Sequence, residues 1–323
     1  MTAQHGDGST LPELYRDLKA LGNRASGTQY SATLLDGRPV VVHTFSPQLA
    51  AQIEQPERFF NVLKRAATID HPSIARLLAW GGGRTASDVF HCAYASQDGG
   101  PLTPGSLSPA RVAKVGLEIS QALSSVHKTG LVHAGIHPGA IVHSKMLGAQ
   151  LSALGLCAAL IDGGVDIRDA ALAVGDVSYL SPEQVAGGAP DARSDIYSLG
   201  ASLYQLLTGK PPFGGRNTTF VMATVLSEGP SSAGETGETD DRTTSVVVEA
   251  LLRAIERAPD DRWPTAEAFA RALGAGAARR SSDADRRRGW SRIFAIFRNL
   301  WFPTRRSREK SRGKSGLHGQ TAR

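Results

Sequence analysis

"GDVSYLSPEQVAGGAPDARSDIYSLGASLYQLLTGKPPFGG", Gly175 to Gly215, is the stretch that decides the fold. Within it Ile196, Leu199, Leu203 and Leu206 recur at helical spacing, so one apolar face is expected, and Gly209 stops the helix. Upstream, "PARVAKVGLEISQALSSVHKTG" repeats the pattern with Val112, Val115, Ile119, Leu123 and Val126 before Gly130. Downstream, "TTSVVVEALLRAI" and "TAEAFARAL" supply two more helices, the second with Thr265 as N-cap. Between Tyr15 and about Tyr94 the character changes to short β-type runs, "RPVVVHTF" and "DVFHCAYA", interrupted by the helical "PERFFNVLKRAATI". A small sheet with one main helix is therefore expected to precede a larger helical lobe, an α+β architecture.

Around this body the composition shifts. Residues 1–10 are polar and glycine-containing and are expected to be disordered, and the polar "SEGPSSAGETGETDDR" between Gly215 and Val246 is expected to be a mobile loop. The chain's net charge is +6, but residues 275–323 hold 14 Lys and Arg against Asp283, Asp285 and Glu309. Taking that local +11 from the total leaves −5 for residues 1–274, a mildly acidic body with a basic tail. In the tail, "GWSRIFAIFRNLWFP" puts Trp290, Ile293, Phe294, Phe297, Leu300 and Trp301 on one side of an amphipathic helix, about 289–302. Aromatics opposite basic residues suit an anionic membrane surface or a protein partner, and nothing here resembles a nucleic-acid-binding fold. Two distant cysteines, Cys92 and Cys157, suggest neither a disulfide framework nor a zinc site. With no secretory signal or spanning run, the expected location is cytoplasmic, peripheral to the inner face of the membrane.

The order of these pieces and the strings they carry resemble a eukaryotic-like bacterial serine/threonine protein kinase, from about Tyr15 to Leu273. Besides the opening stretch, "HPSIARLLAWG" and "RAPDDRWPTAEAFARAL" match family blocks. The resemblance implies a two-lobed domain over 11–274, with an N-lobe of about 11–95, a C-lobe of about 96–274 and a tail over 275–323. It also implies a glycine-rich cover, a lysine held by a helix glutamate, a catalytic aspartate, and an asparagine and aspartate for magnesium.

Matched position by position, those groups are replaced. In "GNRASGTQY" Gly22 and Gly27 fit, but Arg24 stands for the middle glycine and Gln29 for the adenine-covering valine. The lysine position is His43, with Val41 before it, and the helix glutamate falls at Val62. In "HAGIHPGAIV", His133 to Val142, the base is Gly135, the next lysine position is His137 and the asparagine is Ala140; the metal-binding aspartate is Ala153. Cys92 and Val142 complete the degenerate nucleotide cleft. Framework positions remain: core His133, the Glu183 and Arg262 ion pair, and Asp195 holding the loop backbone.

His43, His127, His133, His137 and His143 are not accompanied by a carboxylate or thiolate at recognisable spacing, so no metal and no cofactor is expected. The expectation is a pseudokinase, not an enzyme, that binds a signalling partner such as an active kinase or envelope protein, with the tail on the membrane. The alternative is a weak or atypical serine/threonine kinase or nucleotide-binding phosphotransferase.

Overall fold

The computed structural model describes residues 3–5, 11–24, 26–82, 89–227 and 242–278. The chain begins with β1 (Ala3–His5), α1 (Leu11–Leu14) and the hairpin β2 (Tyr15–Arg24) and β3 (Gly27–Leu34). β4 (Pro39–Thr44), α2 (Pro47–Ala50), α3 (Pro56–Ala67), β5 (Leu77–Gly81) and β6 (His91–Ala95) complete the first lobe. Its sheet has the order β1-β5-β6-β4-β3-β2. Val40 and Val42 of β4 point into a core with Tyr15, Leu34 and Ala93. The other face packs on α3 through Phe59, Val62 and Leu63.

β1 corrects one expectation. Ala3–His5 pairs parallel with Ala79–Gly81, inside the span expected to be disordered. A sheet edge offers unpaired N–H and C=O groups whatever the side chains, so polar composition does not prevent such pairing.

The second lobe is helical. α4 (Pro109–His127) buries the face expected from its spacing, with Val112, Val115, Ile119, Leu123 and Val126 each at most 1% exposed. Burying one such side chain contributes about 1.5–3 kcal/mol. β7 (Ile141–Ser144) and β8 (Gly148–Leu151) form a small hairpin. The chain then runs through α5 (Leu156–Asp162), α6 (Ile167–Val174) and α7 (Pro182–Val185) into α8 (Ala192–Thr208). α8 is capped at its start by Asp191 and ends at Gly209, left-handed at φ 83°. α9 (Thr218–Ser227), α10 (Arg242–Ala254) and α11 (Ala266–Ala278) follow. α4, α8 and α11 meet closely because Gly116 has no side chain: a Cβ there would lie 2.5 Å from Leu273 and 2.8 Å from Leu203.

Two further expectations change here. Thr218–Ser227, expected to belong to a loop, is helical, with Val221 and Val225 buried against the core. Asn217 starts that helix by accepting from the Phe220 amide at 2.9 Å, a short-range cap that outweighs the polar surroundings. The polar 228–241 itself lies outside the described residues. α11 runs past the boundary expected after Gly274, to Ala278. The tail helix expected over about 289–302, with Trp290 through Trp301, lies outside the described residues.

Candidate functional site

A cavity of about 460 Å³ opens between the lobes. β2, β3 and β4 form its roof through Leu21, Gln29, Ser31, Val41 and His43. Its back wall is Tyr94 at the end of β6, followed by the connecting segment Ala95, Ser96 and Gln97. The floor comes from the second lobe, with Ala140 and Val142 at the start of β7, and Ser152 and Ala153 after β8. Val174, the last residue of α6, and His137 stand at its front.

Roof and wall are tied together by His43. The Gln29 Nε2 amide lies 3.3 Å from His43 Nδ1. The two residues face each other across the β3–β4 ladder. The ring meets Tyr94 edge to face at 5.6 Å. Tyr94 in turn donates its hydroxyl to the Leu154 carbonyl at 3.0 Å, and burial holds that phenol well above its ordinary range. Val62, at the position expected to carry a glutamate, is buried with Leu156 and Leu160 in the seam between α3 and α5. Gly155 lets that seam close: it is left-handed at φ 82°, and a Cβ there would come within 2.6 Å of Ala66.

The loop from His133 is fixed from beneath. Asp195, fully buried on α8, accepts from the His133 and Ala134 amides at 2.8 Å each and from His127 Nε2 at 2.8 Å. Burial alone would raise the Asp195 carboxyl, but the hydrogen bond and charge of His127 and the His133 contacts hold it below its ordinary value. His133 is buried, its Nε2 2.8 Å from the Ser152 carbonyl, and burial lowers its pKa. Below the segment after α6, Arg262 donates to both Glu183 oxygens at 2.8 Å, and Ser194 donates to the same carboxylate at 2.6 Å.

Gly135 is the most informative position in the loop. A Cβ there would lie 3.1 Å from the Cys157 Cβ and 3.3 Å from Val174, so α5 and α6 occupy the direction a longer side chain would take. Burial pushes the Cys157 thiol up to about 12, which keeps it protonated at neutral pH and removes it as a nucleophile. His137 has room only because both neighbours lack side chains: a Cβ on Gly139 would lie 2.9 Å, and one on Gly175 3.1 Å, from its ring. At the front, Ser26 donates to the Ala173 carbonyl at 3.0 Å, linking the β2–β3 turn to α6.

The magnesium that the resemblance implies does not fit this donor set. Ala140 and Ala153 line the floor without any oxygen donor in their side chains, and among the described residues no lining side chain is a carboxylate. Among the described residues no group of three or more His, Cys, Asp and Glu is placed to hold a metal.

The expected cleft residues divide. Gln29, Val41, His43, His137, Ala140, Val142 and Ala153 meet in the cavity, whereas Gly22, Gly27 and Cys92 do not line it, and the Arg24 side chain lies outside the described residues. Gly27 instead lies against β4, where a Cβ would overlap the Thr44 carbonyl at 1.8 Å. Cys92 is buried one step behind Tyr94 on the same face of β6, so the larger ring forms the wall. Tyr94 and Val174 went unnoticed in the sequence: the first looks like any strand aromatic, and the second reaches the cleft through the path of α6. The Gly-rich "QDGGP" after β6 was the available signal for the connecting segment.

The protein kinase domain family matches residues 15–272. The chain belongs to the protein kinase family. It is similar to the probable serine/threonine-protein kinase CE0033 of Corynebacterium efficiens, 31% identical over 259 residues, covering 78% of this chain and 39% of that protein. It is also similar to serine/threonine-protein kinase PknB of Mycobacterium tuberculosis, 32% identical over 235 residues, covering 71% of this chain and 37% of that protein. PknB of Mycolicibacterium smegmatis is 32% identical over 238 residues, with the same coverage of 71% and 37%. This chain therefore spans well under half the length of the relatives it matches.

These matches correct the expectation that the chain is not an enzyme, because the relatives are named serine/threonine-protein kinases. The physical reason is that the fold and its cleft do not depend on the side chains that the resemblance implies. Replacing them leaves the lobes, the connecting segment and a cavity of about 460 Å³ in place.

Proposed function

We propose that this member of the protein kinase family is a weak, atypical serine/threonine phosphotransferase that binds a nucleotide between its lobes. The observation that carries the reading is the open cavity of about 460 Å³, within the range of ligand sites, beside the backbone segment that joins the lobes. The names of the relatives support the reaction class. His43 and His137 are the imidazoles among the described lining residues, the side-chain type suited to general acid–base work. His137, on the loop that carries Gly135, is the group assigned to take the proton of the acceptor hydroxyl.

The test is label transfer from γ-labelled ATP to a serine-containing protein acceptor, with ATP-dependent thermal stabilisation measured alongside. Saturating ATP at 100 times its Kd should stabilise the fold by about 2.7 kcal/mol. Slow transfer is expected, falling about 10²-fold in His137→Ala. Absence of both stabilisation and transfer would sink the proposal, and an unchanged rate in His137→Ala would sink the role given to that residue.

A second element of the proposal concerns the tail, whose basic and aromatic sequence favours docking on an anionic bilayer. Among the described residues no helix is long and apolar enough to cross a membrane. Vesicles rich in phosphatidylserine should sediment the full chain, and deletion of 275–323 or molar salt should release it. Equal sedimentation with phosphatidylcholine vesicles would overturn the electrostatic account.

A further inference from the structure

The cavity that would take the nucleotide has an unusual charge inventory. Among the residues whose side chains are described, no Asp, Glu, Lys or Arg lines it. His43, where the resemblance implies a lysine, is an imidazole 3.3 Å from the Gln29 amide nitrogen, and His137 brings a second imidazole at the front. The remaining lining is apolar, with Leu21, Val41, Ala140, Val142 and Val174 on roof, floor and front, plus hydroxyls, carboxamides and backbone along the connecting segment.

Moving a triphosphate from water into such surroundings strips hydration from several negative charges and offers in return two imidazoles, with no lysine, arginine or metal-binding carboxylate among the described lining side chains. A planar uncharged base loses little hydration and gains contact with apolar walls, while its ring nitrogens can bond to backbone groups of residues 95–97. The balance thus runs opposite to that of a site that grips phosphates through magnesium.

Resting on the nucleotide-binding reading above, we propose that the uncharged nucleoside part of the ligand carries the affinity, and that the phosphate chain and magnesium add none. The site is thus an acceptor of neutral heteroaromatic ligands. A weak phosphotransferase follows naturally, since the reacting end of its nucleotide is the end held least.

Calorimetric titration of the full chain with adenosine, with ATP, and with ATP plus magnesium tests this directly. Adenosine is expected to bind at least as tightly as either form of ATP, and adding magnesium should leave the ATP affinity unchanged. If ATP plus magnesium binds about tenfold tighter than adenosine or more, the proposal is overturned while nucleotide binding stands. If none of the three binds, nucleotide binding and the proposal fall together. Val142→Trp, which fills the cavity floor from a partly exposed position, locates the effect. Adenosine binding should be lost with the melting temperature little changed, and retained binding would overturn the assignment to this cavity.

Discussion

Glu183→Ala is expected to lower the unfolding free energy by about 3–5 kcal/mol, the loss typical of stranding one partner of a buried ion pair. The stranded group is Arg262, whose side chain is fully buried and whose two terminal nitrogens both reach Glu183 at 2.8 Å. Arg262 keeps other contacts, to the carbonyls of Arg193, Glu256 and Arg257 and to the Tyr197 ring at 4.9 Å. Those satisfy its donors but leave its charge without a counter-ion. Urea unfolding followed by fluorescence measures the effect, and a loss below about 1 kcal/mol, the worth of an exposed pair, would refute it.

Replacing both residues with apolar side chains of similar volume, Glu183→Leu with Arg262→Met, should cost less than the single change, since no charge is left buried.

The same pair sets a pH dependence. Burial opposes ionisation of Glu183, but the hydrogen bonds from Arg262 and Ser194 and the Arg262 charge outweigh it and hold its pKa at about 2. A folded-state pKa below the unfolded one stabilises the native state above the unfolded value, and that contribution is lost as pH falls through the folded one. From the ordinary 4.5 to about 2, the difference corresponds to about 3 kcal/mol. Stability should therefore fall between about pH 4.5 and 2, and Glu183→Ala should flatten that part of the profile.

How much of this was legible beforehand depended on the kind of signal. The apolar faces of α4 and α8 are periodic in the sequence, and the structure buries the residues that the period selects. Glu183, Arg262, Asp195 and His133 stand inside strings that carry the resemblance, and each has its partners within hydrogen-bond distance. The cleft was only half legible. Its floor could be read because Ala140 and Ala153 follow from the same strings. Val174 could not, because it enters through α6, whose direction depends on packing around Cys157 and Gly135. β1 was missed for a related reason: backbone pairing at a sheet edge leaves almost no trace in side-chain composition. The non-enzyme expectation is overturned by the names of the relatives, which the residues of the cleft do not carry.

The second large effect is expected at Asp195. Its carboxylate accepts the amides of His133 and Ala134 and the His127 ring nitrogen, each at 2.8 Å, in a fully buried position. Asp195→Ala leaves two backbone donors without an acceptor, at about 1–3 kcal/mol each. Ala134 adds to this, being left-handed at φ 63°, a conformation that costs a residue with a Cβ about 1–2 kcal/mol and persists only while its surroundings enforce it. Gln184 still holds the Ala134 carbonyl at 2.8 Å, so the loop should loosen at its amide side first. A total loss of about 4 kcal/mol is expected, with Asp195→Asn costing less because one acceptor oxygen remains. Amide hydrogen exchange at His133 and Ala134 should speed up in both variants, most in the alanine. Because His137 and Ala140 follow on the same loop, ligand binding in the cavity should weaken in Asp195→Asn even where the protein stays folded. Unchanged exchange at those two amides would show that the loop is held by Gln184 and packing alone, and that α8 supports the cleft by shape and not by charge.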